Sequence, residues 1–292
     1  MGFNRREFIK AGGLMLGSLA APSMFGNDKI DGISNDPATM NFAMEHFGVT
    51  ENQLKQVLSA ALEKGGNYAD LFFEHTFSNS LSLQDGAVNR AYSNIDFGMG
   101  VRVVAGEQTG YAYVENITVD EMLKAAHTAA RIANENSTKT PVNLTDISVK
   151  NSLYKVKTTW EEVAVKNKMP YLQKINDKMF AADNRVTKVS AWLNDATSHI
   201  MFCNSEGQYY YDYRPMVMIG VQCIMAEGDR MEGNGSSRAL RMGAEFLTDD
   251  LIDTIVNEAI EKTAILFKAI KPKGGEMPVV MGAGGSGILL HE

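Results

Sequence analysis

The chain has 292 residues, 45% of them hydrophobic, 22% charged and 9% aromatic, which is globular composition with enough apolar side chains for more than one core. Disordered and fibrous classes are excluded, and at about 150 residues per domain the length predicts two domains. The formal charge is −7; leaving out the first 26 residues, which carry Arg5, Arg6 and Lys10 against Glu7, 25 basic and 34 acidic residues give −9. An acidic body of this kind lacks the phosphate-neutralising surface that sequence-independent nucleic-acid binding needs, so no nucleic-acid partner is expected.

At the start, Arg5 and Arg6 precede an uncharged segment, residues 11–27, rich in Ala, Gly, Leu and Met. This is the layout of a twin-arginine export signal, and it predicts removal of residues 1–26 and a periplasmic destination. The apolar part is shorter than the ~20 residues of a spanning helix and is broken by Gly12, Gly13, Gly17 and Pro22, so no stable membrane span is expected. Residues 27–49 show no clear period and read as a tail.

Thr50 with Gln53 forms a capping box, after which Leu54, Val57, Leu58, Ala61 and Leu62 recur at helical spacing up to Gly65-Gly66. Strand composition follows over 68–78 and 81–84, with Asp85-Gly86 as a hairpin turn and 87–93 as the return strand; 97–104 and 109–114 form a second pair around Gly106. Thr118 with Glu121 opens another helix, faced by Met122, Ala125, Ala126, Ala129 and Ile132. The polar, aperiodic stretch 137–152, containing Pro141, marks the boundary between a first unit, 50–136, and a second, 153–271.

In the second unit, Pro170 suits a helix first turn, predicting a helix over 169–182. Strands are expected over 188–194, 198–204, 208–213 and 215–226, with turns at Ser205-Glu206-Gly207 and Glu227-Gly228-Asp229. The run Tyr209-Tyr210-Tyr211-Asp212-Tyr213 reads as alternating strand packing rather than a ligand platform. Cys203 and Cys223 lie in apolar runs and read as buried thiols, with disulfide pairing as the alternative in an oxidising compartment. Thr248 caps a final long helix. The fold class is therefore α+β: two units of antiparallel sheet flanked by helices.

The last twenty residues hold the sharpest chemical signals. A short apolar strand is expected over 277–281, then a glycine turn over 282–287, then a buried helix ending in His291-Glu292. Gly282, Gly284 and Gly287 satisfy the spacing of a dinucleotide-binding turn, although that unit also needs a second parallel strand and an acidic residue about 20 positions on. The other reading takes His291 and Glu292 as an imidazole beside a carboxylate on a helix, the opening of many zinc hydrolase sites. His46, His75, His127 and His199 show no ligand spacing and read as surface or hydrogen-bonded histidines.

Three pieces occur in a telling order: Gly98-Met99-Gly100-Val101-Arg102-Val103-Val104 followed by Thr109-Gly110-Tyr111-Ala112-Tyr113; Asn204-Ser205-Glu206-Gly207 with Gly233-Asn234-Gly235-Ser236-Ser237-Arg238; and Gly284-Gly285-Ser286-Gly287-Ile288-Leu289-Leu290-His291-Glu292. In that order, over roughly 50–292, they resemble the TldD/PmbA family of metalloproteases. The family has a TldD-like catalytic branch with an HExxxH motif and a PmbA/TldE-like partner branch without it. The resemblance implies the catalytic branch, with His291 as a zinc ligand, Glu292 as general base, and peptides or unfolded segments as substrates, positioned by strand addition. It also implies a homodimer or a heterodimer with a paralogue. The second histidine and the cysteine ligand of the family pattern would lie past Glu292, so residues 272–292 are expected to be the truncated start of the catalytic domain and the chain an inactive fragment. The alternatives are a non-catalytic partner or scaffold subunit and, third, a nucleotide-binding protein.

Overall fold

The computed structural model describes residues 40–132, 143–148, 156–282, 284 and 286–291. The predicted export signal and Glu292 lie outside the described residues. In chain order the elements are α1 (Met40–Phe47), α2 (Glu51–Leu62), β1 (Tyr68–Gln84), β2 (Ala87–Ala105), β3 (Gln108–Val114), α3 (Val119–Ala130), β4 (Thr145–Asp146), α4 (Val165–Ala182), β5 (Val186–Asn204), β6 (Gln208–Glu227), β7 (Arg230–Leu240), α5 (Asp249–Ala264) and α6 (Ser286–His291). The α+β class is as the sequence predicts.

The helix starts are written in local chemistry. Thr50 and Gln53 close a complete capping box, the Thr50 N–H donating to Gln53 Oε1 at 2.8 Å and the Gln53 N–H to Thr50 Oγ1 at 3.4 Å. Thr118 makes half of one: it accepts from the Glu121 N–H, while the Glu121 carboxylate turns to Lys124 at 2.6 Å. Thr248 accepts from the Leu251 N–H and caps α5. Two elements depart from expectation. Helix α1 occupies the stretch read as a tail; its eight residues are too few for a period to show, and it is held by tertiary burial of Ala43 and Phe47. Helix α4 begins at Val165, with Pro170 inside it, because its first turn carries Lys168, whose ammonium is bonded to buried Asp195.

All seven strands among the described residues belong to one sheet, ordered β3-β2-β1-β5-β6-β4, with β7 also paired to β6. Only β4, inside the expected linker, pairs in parallel, setting Thr145 against Gln208. The strand segments predicted separately over 68–84, 87–104, 188–204 and 208–226 are four long continuous strands. They join the two halves because β1 pairs β2 on one side and β5 on the other over nearly its whole length, from Asp70↔Asn204 to Gln84↔Ser190. The polar stretch near 137–152 therefore does not interrupt the sheet.

Strand alternation sends odd-numbered residues of β1, β2, β5 and β6, and even-numbered residues of β3 and β7, to one face, where the helices pack in two core clusters. Toward one end Leu71, Phe73, Met99, Val101, Met201, Tyr209 and Tyr211 meet α1, α2 and α3. Toward the other Leu81, Leu83, Leu193, Ile219 and Val221 meet α4 and α5. The two cysteines are buried free thiols in different clusters, and Tyr209 and Tyr211 are core side chains while Tyr210 stacks on Phe202 on the other face. That second face carries exposed Phe72, Tyr111, Tyr113, Met216 and Met218 and no helix among the described residues. A shallow cleft of about 330 Å³ opens on it between Ser78, Ser80, Tyr92, Asn194, Met216 and Met218.

One close approach fixes how α3 crosses the sheet. A Cβ on Gly110 of β3 would lie 2.2 Å from the Ala129 carbonyl oxygen and 2.8 Å from Ile132 Cγ2. Gly110→Ala is therefore expected to cost about 1–3 kcal/mol by forcing α3 off the strand, a loss that denaturant unfolding would register. A stability equal to the parent's would refute this packing.

Candidate functional site

The carboxy-terminal segment differs from its expected form. Residues 277–281 make no strand, since no described strand lies beside them, and Val279, Val280 and Met281 are exposed. The glycine turn therefore lacks the preceding strand that a dinucleotide site requires. Helix α6 forms, but Ile288, Leu289 and Leu290 are 70%, 62% and 82% exposed rather than buried. His291, the predicted zinc ligand, stands exposed at its last position, and Glu292 lies outside the described residues. Catalytic zinc takes about three protein ligands and a water. No three His, Cys, Asp or Glu side chains among the described residues converge as a metal would require, so His291 has no companions there and the donor set does not fit a complete zinc centre.

Three other histidines, scattered in sequence, are brought together. His75 of β1 and His199 of β5 are directly opposite across the strand pair. His46 projects from α1 onto both: its ring stacks on His199 with centroids 4.2 Å apart, and its Nε2 lies 3.0 Å from His75 Nδ1. His199, itself buried, uses its remaining reach outward, Nδ1 to the Tyr211 hydroxyl at 2.5 Å and Nε2 to Glu161 Oε1 at 2.9 Å. Phe42 closes the cluster edge-on against Tyr211.

Electrostatics follow from this crowding. Burial, then the neighbouring His199 and His75, lower the His46 pKa from 6.5 to about 4, against a smaller opposing pull from Glu161. Burial and His199 push His75 the same way. Burial raises the Tyr211 hydroxyl well above its ordinary value, with Glu161 adding to the shift. Near neutral pH, His46 and His75 are therefore uncharged rings sharing one hydrogen bond. The ladder ties α1 and the turn at Trp160–Glu162 to the sheet, between the two cores. Nothing in the sequence spacing announces it, since 124 positions separate the two strand histidines and only strand pairing brings them together.

Below the ladder on the same face, Lys168 and Asp195 form a fully buried ion pair at 2.6 Å; Asn79 Nδ2 donates to the other carboxylate oxygen at 2.8 Å and the ammonium lies over the Trp160 ring. At the far end, Asp70 is held by Arg102 from β2 at 2.9 Å through Nε, and Asn204 accepts the Glu206 and Gln208 N–H groups, shaping the Asn204-Ser205-Glu206-Gly207 turn. The motif residues of 98–104 and 204–207 thus meet at one end of the sheet, where they build structure.

Comparison with known proteins places these features. Residues 69–133 match the family model described as PmbA/TldA metallopeptidase domain 1, and 158–267 match the PmbA/TldA metallopeptidase central domain. A metalloprotease TldD homologue of Haemophilus influenzae is 30% identical over 233 residues, covering 77% of this chain and 48% of the relative. A metalloprotease of Methanocaldococcus jannaschii is 24% identical over 232 residues, 78% of this chain and 50% of the relative. The chain thus spans about half the length of the curated relatives it matches. Among solved structures, a Thermotoga maritima protein crystallised as a candidate modulator of a DNA gyrase superposes with a TM-score of 0.60 at 18% identity, covering 77% of this chain and 50% of that one. TldE from Thermococcus kodakarensis superposes at 0.52 and 16% identity, covering 75% and 47%. At such identities the structures speak for the fold alone, but with two consecutive family domains matched in order the chain belongs to the PmbA/TldD metallopeptidase family.

Proposed function

We propose that this chain is the amino-terminal and central part of a zinc-dependent metallopeptidase of the TldD-like branch, cutting peptides or unfolded segments. The observation that carries the reading is the exposed carboxy-terminal segment: an apolar run, a glycine turn and a helix with bare Ile288, Leu289 and Leu290 leading to His291. Such a helix needs cover, and the longer relatives, of which the match covers 48%, have further chain to supply it. In this reading His291 is one zinc ligand and Glu292 the general base, with the other ligands in sequence past Glu292. The sheet frames an extended substrate by strand addition. The twin-arginine pattern supports a periplasmic location, and membership of the PmbA/TldD family supports a homodimer or a paralogue as partner.

The 292-residue chain alone is expected to show no metal-dependent peptidase activity, because the described residues do not complete a metal site. In a protein extended to the length of the relatives, Glu292→Gln is expected to abolish peptide cleavage while zinc content stays near that of the parent. Full cleavage by that variant would remove Glu292 as base, and cleavage by the short chain would overturn the incomplete-site reading. The family's partner branch is the second reading; it predicts a full-length protein without bound zinc.

A further inference from the structure

Among the described residues, strand β2 leaves half of its outer side unpaired. Its neighbour β3 covers only the stretch from Met99↔Val114 to Ala105↔Gln108, so residues 87–98 form an open edge of the sheet. The direction of its backbone groups follows from the hairpin. Ala105 and Gln108 flank a two-residue turn whose first residue, Gly106, has φ +59°, and so form its hydrogen-bonded closing pair. Odd-numbered residues of β2 therefore point their N–H and C=O groups outward. Val104 has the opposite phase, its carbonyl accepting the Asn67 N–H on the β1 side at 2.7 Å. Pairing with β1 is regular from Arg90 to Val104, so Ala91, Ser93, Ile95 and Phe97 aim their amides away from the sheet.

An edge of this length, with Val88, Tyr92 and Ile95 each more than half exposed and without proline or lysine, is a strand-pairing template. Its side chains are also self-complementary. Two copies set antiparallel about a two-fold axis at Ser93 place Arg90 opposite Asp96 twice, Tyr92 opposite Asn94, and Ala91 opposite Ile95, each pair on one face. The outward groups of Ala91, Ser93 and Ile95 then exchange about six backbone hydrogen bonds. Moving the axis to Tyr92 or Asn94 sets Asn94 or Gly98 opposite Arg90 and loses both charge pairs.

We propose that the β2 edge, residues 87–98, docks a second copy of this chain, β2 against β2 in antiparallel register about Ser93, joining the two sheets into one. This rests on and sharpens the dimer reading above. Sedimentation velocity over a concentration series is expected to show a reversible dimer of the 292-residue chain. Arg90→Asp alone and Asp96→Arg alone each put like charges face to face and are expected to weaken it tenfold or more. Mixing the two variants restores opposite charges at both sites and is expected to recover the dimer as a mixed species. Ser93→Pro, which removes the central outward N–H, is expected to stay monomeric while keeping the parent's circular dichroism. A dimer indifferent to all three changes overturns the edge but leaves dimerisation standing; a 292-residue chain monomeric at every concentration overturns the edge, whereas a protein extended to the length of the relatives that stays monomeric overturns the homodimer reading. Single variants that dissociate but do not recover on mixing overturn the register.

Discussion

Lys168→Met is expected to lower the unfolding free energy by about 3–5 kcal/mol, the usual cost of leaving one charge of a buried pair without its partner. Lys168 and Asp195 have side chains only 1% and 0% exposed, so water cannot replace the lost ammonium. Asn79 still donates one hydrogen bond to the carboxylate, which is too little for a full charge in this position. At roughly 2–4 °C per kcal/mol for a domain of this size, the melting temperature should fall by about 10 °C. Lys168→Met combined with Asp195→Leu is expected to regain most of the loss, because two apolar groups leave no stranded charge. A single variant within about 1 kcal/mol of the parent would show that the pair is open to water. The interaction matters beyond stability: Asp195 lies between Asn194 and Ala196, which line the cleft on the uncovered face, so the pair anchors α4 directly behind that cleft.

Acid is expected to loosen the amino-terminal helix before it unfolds the sheet. The folded state holds His46 at a pKa of about 4 against 6.5 in the unfolded chain. Below pH 6.5 the unfolded chain takes up the proton and the folded chain does not, so stability declines as pH falls and levels off near pH 4. At pH 5 the penalty from His46 alone is about 2 kcal/mol, with His75 acting in the same direction. Glu258, held at about 2 by Arg238, Ser236 and Lys262, also loses its contribution in acid, but in a lower window, from 4.5 down to about 2. Between pH 7 and 5 the histidines therefore dominate this comparison. His46→Phe is expected to flatten the stability–pH curve in that interval, and amide exchange, corrected for intrinsic rates, should accelerate in residues 40–47 of the parent at pH 5. Parallel curves for parent and variant would refute the ladder as the origin.

Much of the architecture is legible in the chain because its signals are local. Thr50, Thr118 and Thr248 announce helix starts, since a side-chain oxygen beside free N–H groups needs no tertiary partner. Asp85-Gly86 and Gly106 mark the tight turns, and both glycines adopt the positive φ that such turns require. The candidate site is less legible. His291 is visible only through its glycine-rich context, and its exposure on α6 is a tertiary fact. The histidine ladder is invisible in sequence, because its members belong to three elements and two of them meet through strand register.

By itself the sequence determined the α+β class, the capped helices, the strand composition and, through ordered motifs, membership of a metallopeptidase family; each depends on contacts within a few residues or on the identity of a motif. Only the tertiary structure decided that the two strand sets form one sheet, that α1 docks through His46, that Lys168 and Asp195 neutralise each other in the core, and that, among the described residues, one sheet face and the β2 edge stand open. Those outcomes turn on which strands pair and in what register, and register is fixed by burial summed over a whole face, a quantity that no local segment contains.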